Sequence, residues 1–557
     1  MPKDPTPSAA PPTDIDVLIL GAGINGAGTF RDLCEQELTC VIADKGDFGS
    51  GTSAAPSRMI HGGIKYLETG QFRLVAQSTL ERNLLLRNAP HYVTPLHTVI
   101  PLFSWLRGIP SALRTLFGST TAPRSRGAVL IKIGLAVYDF YGRRQRVMPR
   151  HALWSRARAL REIPGLTPEI TAAAAYYDAK VSHPERLVLE LVRDGLAASP
   201  ASQALNHATL AGTDGRVVQL TTADGRPLAL RPRIVLNAGG PWIDRINAAL
   251  GAPSALIGGT KGSHIILDHP ALLAALKGRM IYFEADDGRI CLVYGYLGRV
   301  LVGSTDIRDD NPDTVRCEED EIAYFLKELR ELLPVLTFDE GQILYTYSGI
   351  RPLPRSDAAI AGLISRDHSA PVAEPEGARQ WPILSLVGGK WTTFRGFAEE
   401  VAETVLARLG HARRVSTQGL PIGGGRDYPA DPAAWAVATA ARTGCEIDRA
   451  GQLLARYGSG ALAILAHEGP VPPLLADLPD WSEAEIDWIA RSEMVVKLED
   501  IILRRTDLAI TGRLTAPVLD RIAAITAAAL GWDSARQTAE VAATRDLLQH
   551  RHRLRLG

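Results

Sequence analysis

The chain has 557 residues, too many for one ordinary core, so two or three domains are expected. Apolar residues make up 46% and charged residues 22%, with 61 basic and 61 acidic side chains, which is the balance of a globular protein and argues against a nucleic-acid binder. Five scattered cysteines (Cys34, Cys40, Cys291, Cys317, Cys445) have no metal-ligand spacing and point to a reducing compartment, not a disulfide framework.

Residues 1–13 are Pro-rich and polar and read as a flexible tail without the apolar stretch of a secretory signal. No later run reaches the apolar length of a spanning helix, so any membrane contact is expected to be peripheral. From Asp16, Asp-Val-Leu-Ile-Leu reads as a buried strand, Gly21 to about Glu37 as a helix and Thr39–Ala43 as a second strand. The strand–helix connection is Gly21-Ala-Gly23-Ile-Asn-Gly26, with Gly28 beyond. In a dinucleotide loop the first glycine makes the tight turn, the second admits a pyrophosphate to the backbone, and the third lets helix and strand pack closely. The helix N-terminus offers N–H groups and partial positive charge to phosphates. Asp44, at the end of the second strand, has the spacing of a ribose-binding carboxylate. This unit does not by itself separate NAD from FAD.

Residues 104–131 mix Pro, Gly, Ser and Arg with apolar residues and read as an inserted excursion. Phe103, Trp105, Leu106, Leu113, Leu116 and Phe117, with Arg107 and Arg114, are candidates for an amphipathic surface element. Residues 205–237 read as a β-hairpin with a turn at Ala-Asp-Gly-Arg, followed by a return to the parallel sheet at 233–238. Short strands are expected within 278–305, and one more buried run at 383–387. After about Leu420 the pattern becomes helical, at 429–443, 448–458, 483–494 and 514–531. The basic run His550–Leu556 is compatible with an anionic surface but too short to anchor the chain.

The segment Thr52-Ser53-Ala-Ala-Pro-Ser57-Arg58-Met-Ile-His61-Gly62-Gly63-Ile-Lys65-Tyr66-Leu-Glu68 resembles the FAD-dependent, quinone-linked glycerol-3-phosphate dehydrogenases. Further landmarks of that family follow in order. They are Asn237–Trp242, Lys261–His264, Gly303–Asp306, Tyr347–Leu353, Gly388–Arg395, Arg456–Gly458, and Glu493 with Asp500 and Arg504–Thr506. The resemblance covers Asp16 to about residue 530. It departs at Lys65, where the family has Arg, at Ser182–Arg186, where only the arginine is kept, and at the long 104–131 segment. A lysine there offers a point charge in place of a bidentate fork.

The resemblance implies an α/β FAD-binding Rossmann-like domain, an interleaved β-rich substrate domain and a C-terminal α-helical domain. The oxidoreductase region is expected at 14–420, with FAD-binding segments near 14–100, 180–245 and 345–410, and the helical cap at 421–557. It implies FAD held by Gly21, Gly23, Gly26, Asp44, Thr52, Ser53, Ser57, His61, Gly389 and Thr392. The implied reaction is hydride transfer from C2 of sn-glycerol 3-phosphate to flavin N5, giving dihydroxyacetone phosphate. A phosphate dianion needs converging cations, and the candidates are Lys65, Arg351, Arg366 and Lys390, with Tyr66 as a hydroxyl donor. His264 is the candidate base, because imidazole accepts protons near neutral pH. Electrons are expected to pass to a membrane quinone, with the enzyme at the cytoplasmic face of the inner membrane, and a homodimer is the family expectation. Lys65 and the altered 182–186 run keep a longer polyol phosphate, such as erythritol phosphate, as the alternative substrate. A non-catalytic FAD scaffold is the second alternative, against which the substrate cations argue.

Overall fold

The computed structural model describes residues 13–67, 71–105, 127–142, 147–285, 287–356 and 367–557. Strand Thr13–Leu20 pairs in parallel with Cys40–Ala43 on one side and Pro227–Asn237 on the other. Gln203–Leu205 and Ile383–Ser385 extend this sheet on either side, also in parallel, and Val372–Ala373 adds an antiparallel edge beyond Ile383–Ser385. The register sets Leu20 opposite both Ala43 and Asn237, Ala43 opposite Leu205, and Asn237 opposite Ser385, so five strands end in one row. In an open parallel sheet the ligand crevice lies outside that row of carboxyl ends. The expected hairpin turn is present, with Thr222 N–H donating to the Arg226 carbonyl at 2.9 Å. The strand after it does two jobs: Pro227–Leu230 closes the hairpin, and the same strand continues to Asn237 beside Thr13–Leu20.

Helix Ile24–Cys34 leaves the crevice and is buried on nearly every residue. Its small residues permit close packing. A Cβ at Gly28 would stand 2.6 Å from the ring of Phe394, on helix Phe394–Leu409, and a Cβ at Gly26 would stand 2.0 Å from the Gly21 carbonyl oxygen. Helix Pro184–Ala198 meets it likewise, through Gly195 against Phe30.

The second sheet is centred on Ile257–Leu267, which pairs antiparallel with Arg299–Gly303 and with Ile343–Pro354. Beyond Arg299–Gly303 come Ile290–Tyr296, Met280–Glu284, Val93–Leu102 and Ala172–Val181. One face is covered by the amphipathic helix Glu319–Leu332, which starts in a capping box of Glu318 and Glu321 and packs over Val293, Val300 and Val302. The other face buries Tyr294, Leu301 and Tyr345 against Trp481, Ile486 and Ile522 of the C-terminal part. The apolar run at 383–387 is divided between sheets, because Val387–Gly388 pairs with His368–Ser369 and not within the parallel sheet.

C-terminal helices lie at Pro432–Thr443, Ile447–Tyr457, Glu483–Ser492 and Ala516–Leu530, three of them capped by the side chains of Asp431, Ser482 and Thr515. A further helix, Ser534–His552, scatters alanine, polar and charged residues around its circumference and so lacks the apolar stripe that reveals a helix in sequence. It takes in the start of the basic run 550–556, and part of that run packs on the protein. His552 stacks on Tyr345 with ring centroids 4.5 Å apart, Leu554 is buried, and Arg553 pairs with Glu319 and Glu340. Most of the 104–131 excursion lies outside the described residues. Its end begins a helix, Ala128–Tyr141, that presents Val129, Ile133 and Phe140 to solvent.

The C-terminal part is joined to the parallel sheet by buried charge. Arg505 grips both oxygens of Asp47, at 2.7 and 2.9 Å, and Arg504 reaches Asp47 and Asp500 at 2.6 Å each. His207 meets Asp500 at 3.0 Å, and Arg186 forks onto Glu493 at 2.7 and 3.0 Å. Asp47, His207 and Asp500 lie close enough together to suggest a metal trio, but the two guanidiniums already supply the positive charge there. Burial pushes the Asp47 carboxyl up, and Arg505 with Arg504 outweighs it, so its pKa falls below the ordinary value. Asp500 also lies below its ordinary value, with His207 and Arg504 outweighing burial.

Removing one partner of a buried pair strands the other charge, at a cost of about 3–5 kcal/mol. Arg505→Ala should therefore lower stability by about that much in equilibrium urea unfolding. A loss below about 1 kcal/mol would show that the junction does not depend on this pair. Because both carboxylates have depressed pKa values, their contribution is complete above about pH 4 and fades as pH falls below it. The wild type should lose stability across that acid range more steeply than Arg505→Ala.

Candidate active site

One cavity of about 2220 Å³ opens at the row of strand ends and runs beneath the second sheet. That is more than twice the usual size of a small-ligand site, about 300–1,000 Å³. At its sheet end lie Gly21, Gly23, Asn25, Asp44 and Gly239. Gly21 has φ +106°, and a Cβ there would stand 2.5 Å from the Ala238 carbonyl oxygen, so the turn requires glycine. Gly26 does not line the cavity; it lets the helix close onto the Gly21 turn. The helix has no cap of its own at Gly23, and Ser53 supplies one by accepting from Ile24 N–H at 2.9 Å. Asp44 accepts from Ala22 N–H at 2.7 Å and Gly46 N–H at 2.9 Å, and burial raises its pKa. These are the features an adenine dinucleotide needs: a helix N-terminus facing the cavity, a side-chain-free turn and a carboxylate beyond the second strand.

Loop 52–57 crosses the cavity and is held by the second sheet. Thr52 Oγ1 donates to the Ile350 carbonyl at 2.6 Å, Tyr347 Oη to the Pro56 carbonyl at 3.0 Å, and Tyr294 Oη to the Ser57 carbonyl at 3.1 Å. Ser57 Oγ lies 2.8 Å from His264 Nε2. From the other side, His61 N–H donates to Thr392 Oγ1 at 3.2 Å, Asn25 Nδ2 donates to the Gly388 carbonyl at 3.3 Å, and Gly389 lines the cavity.

His264 sits in the middle of its strand, opposite Gly303 on one neighbour and Tyr347 on the other. Its ring stacks on Tyr347, centroids 4.7 Å apart, and occupies the space a Cβ at Gly303 would need. Burial first, then the charges of Arg351 and Arg58, hold its pKa well below the ordinary histidine value, so the ring is neutral at neutral pH. Its Nδ1 is buried without a hydrogen-bond partner, and Ser57 occupies Nε2.

Arg351 lies flat over Gly262, where a Cβ would strike its Nη2 at 2.0 Å. It is ion-paired with Asp306 at 3.0 Å and donates to Ser304 Oγ at 3.2 Å and the Thr305 carbonyl at 3.1 Å. Thr305 points to the opposite side and donates to Glu321 at 2.6 Å, which also holds Lys261 at 2.8 Å. Lys390 lines the same cavity, with its ammonium 3.1 Å from Ser78 on helix Phe72–Asn88. Arg366 lies outside the described residues. For Lys65 and Tyr66 the backbone alone is described, in the short helical turn Ile64–Leu67.

The structure thus brings His264, Arg351, Lys390, Ser57, His61 and the glycine loop to one cavity. Sequence reasoning gave no role to Asp306 and Ser304, although both stand in the quoted Gly303–Asp306 landmark. It also missed the buried Arg58–Glu185 pair, 2.7 Å, beside Ser57. The retained Arg186 of the altered 182–186 run faces Glu493 and not the cavity.

The family model described as FAD dependent oxidoreductase matches residues 16–404, and that described as the C-terminal domain of alpha-glycerophosphate oxidase matches 415–537. The chain is 33% identical over 525 residues to a glycerol-3-phosphate dehydrogenase of Synechocystis, with 89% of each chain covered. It is 29% identical to the D-erythritol 1-phosphate dehydrogenase of Brucella abortus, over 89% of this chain and 95% of that one. Its fold is similar to that of a glycerol-3-phosphate dehydrogenase from Bacillus halodurans solved with FAD, at TM-score 0.74 and 20% identity, covering 97% of this chain and 95% of that one.

Gly23→Val tests the glycine loop. A Cβ at Gly23 stands 3.0 Å from Ser53 Oγ, so the valine methyls must project into the space before the helix N-terminus. The variant should keep its far-ultraviolet circular dichroism and purify without flavin absorbance. Wild-type flavin content in it would remove the loop from the binding site.

Proposed function

The chain belongs to the FAD-dependent oxidoreductase family, in its glycerol-3-phosphate dehydrogenase branch, and on that premise we propose that it oxidises sn-glycerol 3-phosphate to dihydroxyacetone phosphate. The observation that carries this reading is the single cavity, with a dinucleotide crevice at one end and the Arg351, Lys390 and His264 groups around the rest. Bound FAD supplies the two-electron acceptor for the hydride leaving C2. Gly21, Gly23 and the N–H groups that open helix Ile24–Cys34 would hold its pyrophosphate, and Asp44 a ribose. Thr52, Ser53, Ser57, His61, Gly389 and Thr392, which line the same cavity, would border the rest of the cofactor.

Arg351 and Lys390 are the proposed phosphate cations, with Lys65, Tyr66 and Arg366 as further contacts. The Asp306 and Ser304 partners fix the guanidinium plane of Arg351, so little side-chain freedom remains to be lost when a phosphate binds. His264 is the proposed proton acceptor. Nδ1 is closed off, so Nε2 is the proposed accepting atom, and with Ser57 Oγ 2.8 Å from it the C2 hydroxyl proton would be relayed, Ser57 giving its own proton to Nε2 as it takes the substrate's. In the free enzyme Arg351 and Arg58 oppose a positive charge on this ring. A bound dianion offsets that field, so the histidine gains proton affinity when substrate is present.

A longer polyol phosphate is the second reading, favoured by Lys65 and by the Brucella relative. Substrate profiling with a dye acceptor separates the two. A membrane quinone is the proposed physiological acceptor, reached from the cytoplasmic face of the membrane. Phe103, Trp105, Ile133 and Phe140, each about half exposed, support a lipid-facing surface. Among the described residues no helix is long and apolar enough to cross a membrane.

A charged hydrogen bond is worth about 1.5–3 kcal/mol, so Arg351→Ala should lower kcat/KM for glycerol 3-phosphate at least about tenfold with FAD retained. Wild-type kinetics would remove Arg351 from the phosphate site. His264→Asn should slow flavin reduction in single turnover by roughly 10²–10⁴-fold while leaving reoxidation by a quinone analogue unchanged. Because the pKa of His264 is depressed, the base is neutral and competent above that value and lost below it. The acid limb of kcat/KM, which reports the free enzyme, should lie well below pH 6.5, and that of kcat at higher pH. Normal flavin reduction in His264→Asn would send the search for the base to His61.

A further inference from the structure

Beyond Asp306 the same loop runs on to the rim of the cavity, at the end marked by Asp44. There the carboxylate of Asp313 collects donors from two separate segments of the dinucleotide sheet. Lys45 Nζ and Trp242 Nε1 each reach Oδ1 at 2.8 Å, and Arg245 Nη1 reaches Oδ2 at 2.5 Å. Lys45 also stands over the Trp242 ring, 4.1 Å from its centroid. The backbone carbonyl of Asp313 accepts from Arg551 Nη2 at 2.5 Å, at the end of the last helix. Lys45, Trp242, Arg245, Asp313 and Arg551 all line the cavity that also holds Gly21 and Asp44.

The loop is pinned on either side of Asp313. Asp310 Oδ1 accepts from Gly259 N–H at 2.9 Å, and the Arg316 carbonyl accepts from Lys261 at 3.3 Å. Partial burial pushes the Asp313 carboxyl up, but its donors from Lys45, Trp242 and Arg245 bring it down to about 2, so it is ionised at any working pH. The side chains of Lys45, Asp313 and Arg245 are 54%, 44% and 55% exposed, and ion pairs in that setting add little to fold stability. Their placement has a different consequence. Lys45 follows the ribose-binding position directly, and Trp242 and Arg245 follow Gly239 at the end of strand Pro227–Asn237, on the other side of Thr13–Leu20, so the Asp313 loop spans the crevice at the end marked by Asp44.

We propose that Asp313 is a clasp that closes the 309–316 loop over the adenosine end of the FAD site and sets how slowly the cofactor leaves. The proposal rests on the cofactor being FAD, and the experiment separates the two. Holoenzyme is diluted and the rise of free-flavin fluorescence is followed for wild type, Asp313→Ala and Asp313→Asn. The alanine variant should release FAD about tenfold faster or more, corresponding to about 1.4 kcal/mol. Asp313→Asn can keep the Trp242 hydrogen bond but loses both ion pairs, and should fall between. About 1 M salt, which shortens the screening length to about 3 Å, should speed release from wild type and leave Asp313→Ala nearly unchanged. That salt signature distinguishes a clasp from a general loss of folding, as does an unaltered circular dichroism spectrum. Release at the wild-type rate from Asp313→Ala overturns the clasp, as does a salt response equal in both proteins. A wild type purified without flavin would instead overturn the cofactor assignment beneath it.

Discussion

The cavity has its shape because two arginines at the end of one short helical turn are committed to a carboxylate 457 and 458 positions earlier in the chain. Asp47 stands three residues beyond Asp44, on the loop that leaves the row of strand ends, and it is fully buried. A buried carboxylate must be paired or protonated, and here Arg504 and Arg505 both pair it. The commitment brings Leu503, Arg504, Leu547 and His552 to the cavity wall. The same C-terminal part covers Tyr294 and Tyr345 of the second sheet with Trp481, Ile486 and Ile522.

The rest of the site follows the same rule, that polar groups in a dry space find partners. Arg351 does not wait as an open cation but lies between Gly262, Asp306 and Ser304. His264 remains neutral because its surroundings are dry and already positive. The two facts are linked, since the Arg351 charge that suits a phosphate is the charge that keeps a second proton off the histidine. An anionic ligand alters both at once. Helix Phe72–Asn88 supports the opposite wall, with Ser78 beneath Lys390 and Glu81 holding Arg395.

Several motifs quoted from the sequence meet in this arrangement, but not always in the place their composition suggested. The glycine loop and Asp44 could be read directly, because tight turns, helix starts and strand ends obey local rules of φ and hydrogen bonding. The Gly388–Arg395 landmark was legible as a strand end, but not that Lys390 leans on Ser78 or that Thr392 accepts from His61. Arg186, Glu493, Asp500 and Arg505 could be recognised as landmarks. Their use as a junction became visible when residues some 300 positions apart were seen to meet. The last helix and the role of His552 were not legible, since a helix whose small apolar and polar residues are mixed around its circumference carries no apolar stripe.

By itself the sequence determined the local chemistry: a strand–glycine–helix–strand unit ending in an acid, a helical C-terminal composition and an ordered set of family landmarks. Those features depend on residues within a few positions of one another, where steric and hydrogen-bonding rules act along the chain. Only the tertiary structure decided which charges neutralise which, that Ser57 occupies His264 Nε2, that Asp306 orients Arg351, and that Asp313 spans the rim. These pairings join segments tens to hundreds of residues apart. Burial sets their strength, and burial belongs to the packed molecule, because water leaves a polar group only when distant segments close around it.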